Sequence, residues 1–205
     1  MDVLSLDQIR TKLSEFSPEL FDVSSETRQA AVAIVLRESN PGLEVLFIKR
    51  AEFDGDPWSG HMSFPGGHRD HSDASLRVAA ERETFEEIGL SLESATYCGA
   101  LSHQRTYGRG NRPGMLVAPY VFTIEDDFDE KISSEVEAVV WGPLEAMMNG
   151  VLHSTEERPL NTGFSKFSGY TLGKNRFVWG LTYRTLQELF EVIDPSYVQP
   201  NESLT

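Results

Sequence analysis

The 205-residue sequence predicts a single α/β domain, with helices packed on a largely antiparallel or mixed sheet. Three observations carry this expectation. Apolar runs of strand length are separated by turn residues; a run rich in Ala, Glu, Arg and Leu follows residue 73; apolar residues recur at helical spacing before Ile193. The length suits one domain that buries a core without disulfides. No repeat or linker divides the chain.

Residues 4–16 are expected to form an amphipathic helix, with Ile9, Leu13 and Phe16 on one side and Leu20 just beyond Pro18. From Arg28 the pattern changes. Ala30 to Leu36 and Glu44 to Ile48 are apolar runs separated by Ser39-Asn40-Pro41-Gly42, which predicts a hairpin. Residues 54–73, rich in Gly, Pro, Asp and His, read as mostly loop. The run 74–88 favours a helix, and Gly89 supplies its stop. Strands are expected near 95–103, 115–125 and 136–141. A second long helix runs from Trp179 to Ile193, with Leu181, Leu186, Leu189, Phe190 and Ile193 at helical spacing. These elements divide the chain into an N-terminal helical segment (1–27), a main domain (28–193) and a flexible polar tail (194–205).

Charge narrows the partners. The net charge of −14 argues against nucleic acid, because phosphate neutralisation by basic residues supplies most of that affinity. A small phosphorylated molecule stays compatible if divalent cations and a few local arginines reverse the sign inside a site. No apolar run is long enough to cross a bilayer, so no membrane partner is expected. Residues 1–7 lack a basic then apolar leader, and the one cysteine, Cys98, fits a reducing cytoplasm. Cys98 lies in a strand-like run and is expected in the core rather than as a nucleophile. A homodimer is compatible with all of this.

The informative stretch is Phe64-Pro65-Gly66-Gly67 followed by Arg82-Glu83-Thr84-Phe85-Glu86-Glu87-Ile88-Gly89-Leu90. On a helix, Glu83, Glu86 and Glu87 share an arc of about 100°. Three like charges so close repel one another, and a hard divalent cation, Mg²⁺ or Mn²⁺, would relieve them with oxygen ligands. Arg82 can pair with a carboxylate and hold its rotamer. Gly66 and Gly67 let the backbone come close to the helix. Acid-rich helices are usually solvated faces, but here one sign occupies one face instead of alternating pairs.

This segment resembles the Nudix box, Gly-x5-Glu-x7-Arg-Glu-U-x-Glu-Glu-x-Gly-U, where U is a bulky aliphatic. Arg82-Glu83, Glu86-Glu87, Gly89 and Leu90 match. Thr84 departs from the first U. The earlier Glu is absent: Ala74 stands at its distance from Arg82, while Asp73 keeps the gap from Gly67 and lengthens the connection by one residue. The resemblance implies a Nudix-type α/β/α sandwich and divalent-metal hydrolysis of a diphosphate, with Glu83, Glu86 and Glu87 as metal ligands. Glu83 is one candidate base. Glu135 and Glu137, ahead of Trp141, resemble a late Nudix element and are the others.

Leu46-Phe47-Ile48-Lys49-Arg50-Ala51, then Gly60-His61-Met62-Ser63-Phe64-Pro65-Gly66-Gly67, is similar to the signature of coenzyme A diphosphatases. The opening Trp179-Gly180-Leu181-Thr182 is similar too. That signature carries an arginine four residues before Gly60, where this chain has Asp56. The resemblance makes coenzyme A or a derivative the expected substrate. ADP-ribose, a nucleotide sugar or a nucleoside triphosphate are alternatives, as is a non-catalytic nucleotide-binding module. A remote substrate arm would lie around residues 54–63, on Phe53, Trp58 and Met62.

Arg50, Gly66 and Gly67 are further candidates for holding substrate. Arg105, Arg109 and Arg112, in a Gly-rich loop of an acidic protein, suit phosphate oxygens, and Tyr107 among them suits a base. His61, His68, His71 and His103 lack a cysteine pair, so structural zinc is not expected.

Overall fold

Along the chain run α1 (Leu6–Glu15), β1 (Arg28–Glu38), β2 (Leu43–Arg50), β3 (Met62–Ser63), β4 (Gly66–His68), α2 (Leu76–Ile88), β5 (Thr96–Ala100) and β6 (Gln104–Thr106). Then follow β7 (Met115–Ile124), β8 (Val136–Pro143), α3 (Leu144–Met148), β9 (His153–Leu160), β10 (Gly163–Thr171), β11 (Phe177–Trp179) and α4 (Gly180–Ile193). This computed structural model describes residues 4–21, 28–55, 58–106, 114–160 and 163–200.

The expected hairpin forms, but β1 and β2 pair only near their turn, Leu36 to Glu38 against Leu43 to Val45. Beyond it they diverge, and the segment 62–68 fills the fork. Met62 and Ser63 pair with Lys49 and Ile48 on β2, and Gly66 to His68 pair with Ala30 to Val32 on β1. On its other edge β1 runs parallel to β7 from Arg28 to Arg37. β5 and β6 add antiparallel to β7, and β8 adds antiparallel to β2. The result is one mixed sheet with its only described parallel pair at the centre.

Strand alternation sends side chains to two cores. Ile34, Leu36, Val45 and Phe47 meet Ile9 and Leu13 of α1 and Leu186, Leu189, Phe190 and Ile193 of α4. Ala31, Ala33, Val35, Leu46 and Ile48 face Leu76, Ala79, Ala80 and Ile88 of α2. Helices therefore cover both faces, as the sandwich reading expects. α1 begins at a capping box, Ser5 accepting from Gln8 N–H while the Gln8 side chain accepts from Ser5 N–H. Phe190 is fully buried, and Phe190→Ala would cost about 3–5 kcal/mol through transfer and cavity terms.

Residues 144–179 hold elements the sequence does not announce. α3 leads to a separate three-stranded antiparallel sheet, ordered β11-β10-β9, which feeds directly into α4. Cys98 is half-buried at a bulge where β5 slips against β7, and burial pushes its thiol up. No helix among the described residues is long and apolar enough to cross a membrane.

Candidate active site

α2 carries the acidic row. Its N-cap Ser75 accepts from Val78 N–H, and Gly89 closes it in the left-handed conformation at φ 76°. Thr84, in place of an aliphatic residue, is fully buried and donates its hydroxyl to Ala80 O at 2.7 Å, which removes the cost of burying it. The three carboxylates occupy different depths: Glu87 is buried, Glu83 half-buried and Glu86 exposed. Arg82 spans two of them, with Nη1 3.0 Å from Glu83 and 2.9 Å from Glu86. Its other nitrogens grip Asp73, whose carboxylate is buried. Asp73 thus takes up the pairing open to the absent box glutamate, one residue further from Arg82.

The fork strand brings backbone to the helix. Gly66 N–H donates to Glu87 Oε2 at 2.8 Å. Gly66 sits at φ 144°, where a Cβ would be driven into the Ala31 carbonyl, so only glycine closes this approach. A Cβ on Gly67 would lie 2.5 Å from the Glu83 carboxylate. The glycine pair and the carboxylates are therefore one assembly.

A third segment completes it. Lys131 N–H donates to Ile88 O and Ser133 N–H to Glu87 O, tying residues 131–133 to the C-terminal end of α2. Glu135 follows closely enough to repel charge on both Glu83 and Glu87. Glu137 goes elsewhere. The pairing of β8 with β2 shifts between Lys49 and Arg50, leaving Glu137 as the extra residue of a bulge. Its carboxylate pairs with Lys49 Nζ at 2.7 Å.

Burial dominates the electrostatics. It pushes Glu87 up to about 8, with the nearby Glu83 and Glu135 adding to the rise; the Gly66 N–H and the charge of Arg50 oppose it. Burial also raises Glu83, again against Arg82. Such a donor set, oxygen-only and short of positive charge around Glu87, suits a hard divalent cation. Among the described residues no three His, Cys, Asp or Glu side chains converge tightly enough to hold an ion as they stand. Arg82 and Gly66 N–H occupy the carboxylates instead.

The remaining sequence candidates divide. Arg50 acts electrostatically on Glu87. Arg105 stacks its guanidinium 4.3 Å over Phe21, away from any described contact with the α2 carboxylates. Tyr107, Arg109, Arg112 and Asp56 lie outside the described residues. Met62 is in the core, so among the described residues around 54–63 the large apolar side chains left exposed are Phe53 and Trp58. Sequence reasoning missed Arg69, which donates to Asp73 O and Gln29, and Arg28, 2.9 Å from His68. Isolated surface arginines carry no signal in a sequence; only the pairing of β1 with β4 brings them here.

Residues 27–161 match the NUDIX domain family. NudL of Cronobacter sakazakii, an uncharacterized Nudix hydrolase, is 35% identical over 190 residues, covering 91% of this chain and 93% of that protein. The Schizosaccharomyces pombe protein C14C4.10c is 36% identical over 152 residues; the match takes in 64% of this chain and just under half, 46%, of that relative. Two solved structures share the fold. The Nudix hydrolase RenU of M. smegmatis has a TM-score of 0.56 at 16% identity, covering 84% of this chain and 89% of that one. A MutT/nudix family protein of Enterococcus faecalis has a TM-score of 0.54 at 17% identity, covering 93% and 70%. The chain belongs to the Nudix family and is a hydrolase of phosphorus-containing anhydrides.

Proposed function

We propose that this hydrolase cleaves the diphosphate of a nucleoside diphosphate-linked small molecule, with coenzyme A or a derivative as the preferred substrate. The observation that carries the reading is the assembly of Glu83 and Glu87 with the Gly66–Gly67 backbone and Glu135. Nudix hydrolases generally use divalent metals, and Glu83, Glu86 and Glu87 would hold Mg²⁺ or Mn²⁺ here. The metal would polarise the phosphoryl oxygens and offset charge that develops on them.

The chain's own residues do the rest. Glu135 takes the proton of the attacking water, whose oxygen bonds to one phosphorus as the bridging P–O bond breaks. Its carboxylate has the proximity to Glu83 and Glu87 that Glu137, tied to Lys49, does not have. Arg82 positions Glu83 and Glu86. The Gly66–Gly67 backbone closes on Glu87 and Glu83 and holds them at the site, and Arg50 with Arg105, Arg109 and Arg112 contributes positive charge to diphosphate binding.

Coenzyme A is favoured by the runs Leu46 to Ala51 and Gly60 to Gly67 and by the Trp179-Gly180-Leu181-Thr182 opening of α4. Mass spectrometry of products from coenzyme A, ADP-ribose and GDP-mannose tests this. The expected products are 3′,5′-ADP and 4′-phosphopantetheine. Tenfold faster turnover of either nucleotide sugar, about 1.4 kcal/mol in barrier, would remove coenzyme A and leave the diphosphatase reading in place.

A further inference from the structure

On the face of β2 opposite α2 lies a cavity of about 350 Å³, within the small-molecule range. It is walled by Lys49 from β2, Glu52 and the Ser59–Gly60–His61 turn, Glu156 and Arg158 from β9, and Asn175, Phe177 and Trp179 around β11. The separate three-stranded sheet thus forms half of it. Trp179 is held by neighbours, with the Phe167 ring centroid at 4.8 Å, His61 edge-on at 5.0 Å and the Arg158 guanidinium over its ring at 5.6 Å. Asn175, exposed and at φ 59°, lines the cavity with an amide that both donates and accepts.

Charge decides what fits. Lys49 is paired with Glu137 and Arg158 with Glu156, each at 2.7 Å. The cation charges are compensated and Glu52 adds a further acid, while the buried Arg158 Nε has no hydrogen-bond partner among the described residues, so the cavity offers hydrogen bonds and rings rather than a net positive charge for phosphate. A neutral planar ring bearing an amino group meets these terms: its N–H donates to the carboxylates, its ring nitrogens accept from Asn175, and its face lies against the Arg158–Trp179 pair. The location agrees. Lys49 and Arg50 are consecutive on β2 and face opposite sides, one toward the cavity and one toward Glu87. Arg50 N–H also donates to His61 O at 3.0 Å, so both sites share one strand end.

We propose that the Trp179 cavity seats the amino-bearing heterocyclic base of the substrate, placing the base, not the remote arm, beside residues 59–61. The inference rests on the nucleotide reading above, so its test avoids hydrolysis. Adenosine, cytidine, uridine and inorganic phosphate are titrated separately into the full-length protein with chelator present, followed by saturation-transfer NMR and tryptophan fluorescence. Adenosine and cytidine should bind and quench Trp179, uridine at least about tenfold more weakly, by loss of one paired hydrogen bond, and phosphate not at all. Asn175→Gly keeps the left-handed backbone and should weaken adenosine by a similar factor; in hydrolysis it should raise KM with kcat held. Equal uridine and adenosine affinity, preferential phosphate binding, or unchanged adenosine affinity in Asn175→Gly would overturn the assignment. Adenosine binding with no nucleoside diphosphate-linked substrate cleaved would instead retire the proposed substrate class alone.

Discussion

Asp73 and Arg82 meet fork to fork: Arg82 Nε donates to Asp73 Oδ1 at 3.0 Å and Nη2 to Oδ2 at 2.9 Å. Asp73 Oδ2 also accepts from Asp70 N–H at 2.7 Å, which fixes the turn ahead of α2. The pair joins the loop to the acidic row, since the third nitrogen of Arg82 holds Glu83 and Glu86.

Asp73→Asn keeps the shape and removes the charge from a buried hydrogen-bonded pair. It should lower stability by about 1.5–3 kcal/mol, and Asp73→Ala, which strands Arg82, by about 3–5 kcal/mol. Urea denaturation at neutral pH measures both. Wild-type midpoints in both variants would mean that the loop is held without this pair.

The same pair sets an acid limit. Hydrogen bonding from Arg82 holds the Asp73 carboxyl below the usual carboxylate range, so its folded pKa lies under its unfolded one. Its stabilisation is complete above about pH 4 and is lost as pH falls through the depressed folded value. The stability difference between wild type and Asp73→Asn should therefore shrink in acid. Parallel curves from pH 6 to pH 2.5 would contradict the assignment.

Local pattern made the two long helices and the first hairpin legible, because Ala and Glu content, Gly89 and the apolar runs all agree. The row Glu83, Glu86, Glu87 followed from helical spacing alone. β9 and β10 did not, since His153 to Glu157 is a polar run and Pro159, Gly163 and Gly169 mark no strand in a sequence. The Trp179 cavity draws on residues from 49 to 179, a juxtaposition no window contains. Glu135 and Glu137 are equivalent candidates in the sequence; the bulge at Lys49/Arg50 separates them.

That separation is measurable. Glu135→Gln should lower kcat by about 100-fold or more, the usual worth of a general base. Glu137→Gln should stay within a few-fold of wild type in kcat. Steady-state rates decide it, and equal losses in the two variants would return the base to an open question between Glu83 and the late acids.

The glycine pair gives two distinct failures. A methyl at Gly66 meets backbone, so Gly66→Ala should destabilise the fold by about 2 kcal/mol or more. At Gly67 it meets the end of the Glu83 side chain, which can move, so Gly67→Ala should fold near normally and lose activity. Thermal melts beside kcat separate the two; a folded, active Gly66→Ala protein would disprove the close approach.

We propose that the carboxylates of α2, Glu87 buried and Glu83 half-buried, run a metal-dependent anhydride cleavage. The direct measurement is the rate of coenzyme A and ADP-ribose hydrolysis after exhaustive chelation, with Mg²⁺ titrated back, in wild type, Glu83→Gln and Glu87→Gln. No turnover is expected without metal, with full recovery in the wild type once Mg²⁺ is restored. Both variants should remain folded with kcat lower by about 100-fold or more. Cleavage that survives chelation, or near-normal rates in both variants, would contradict it.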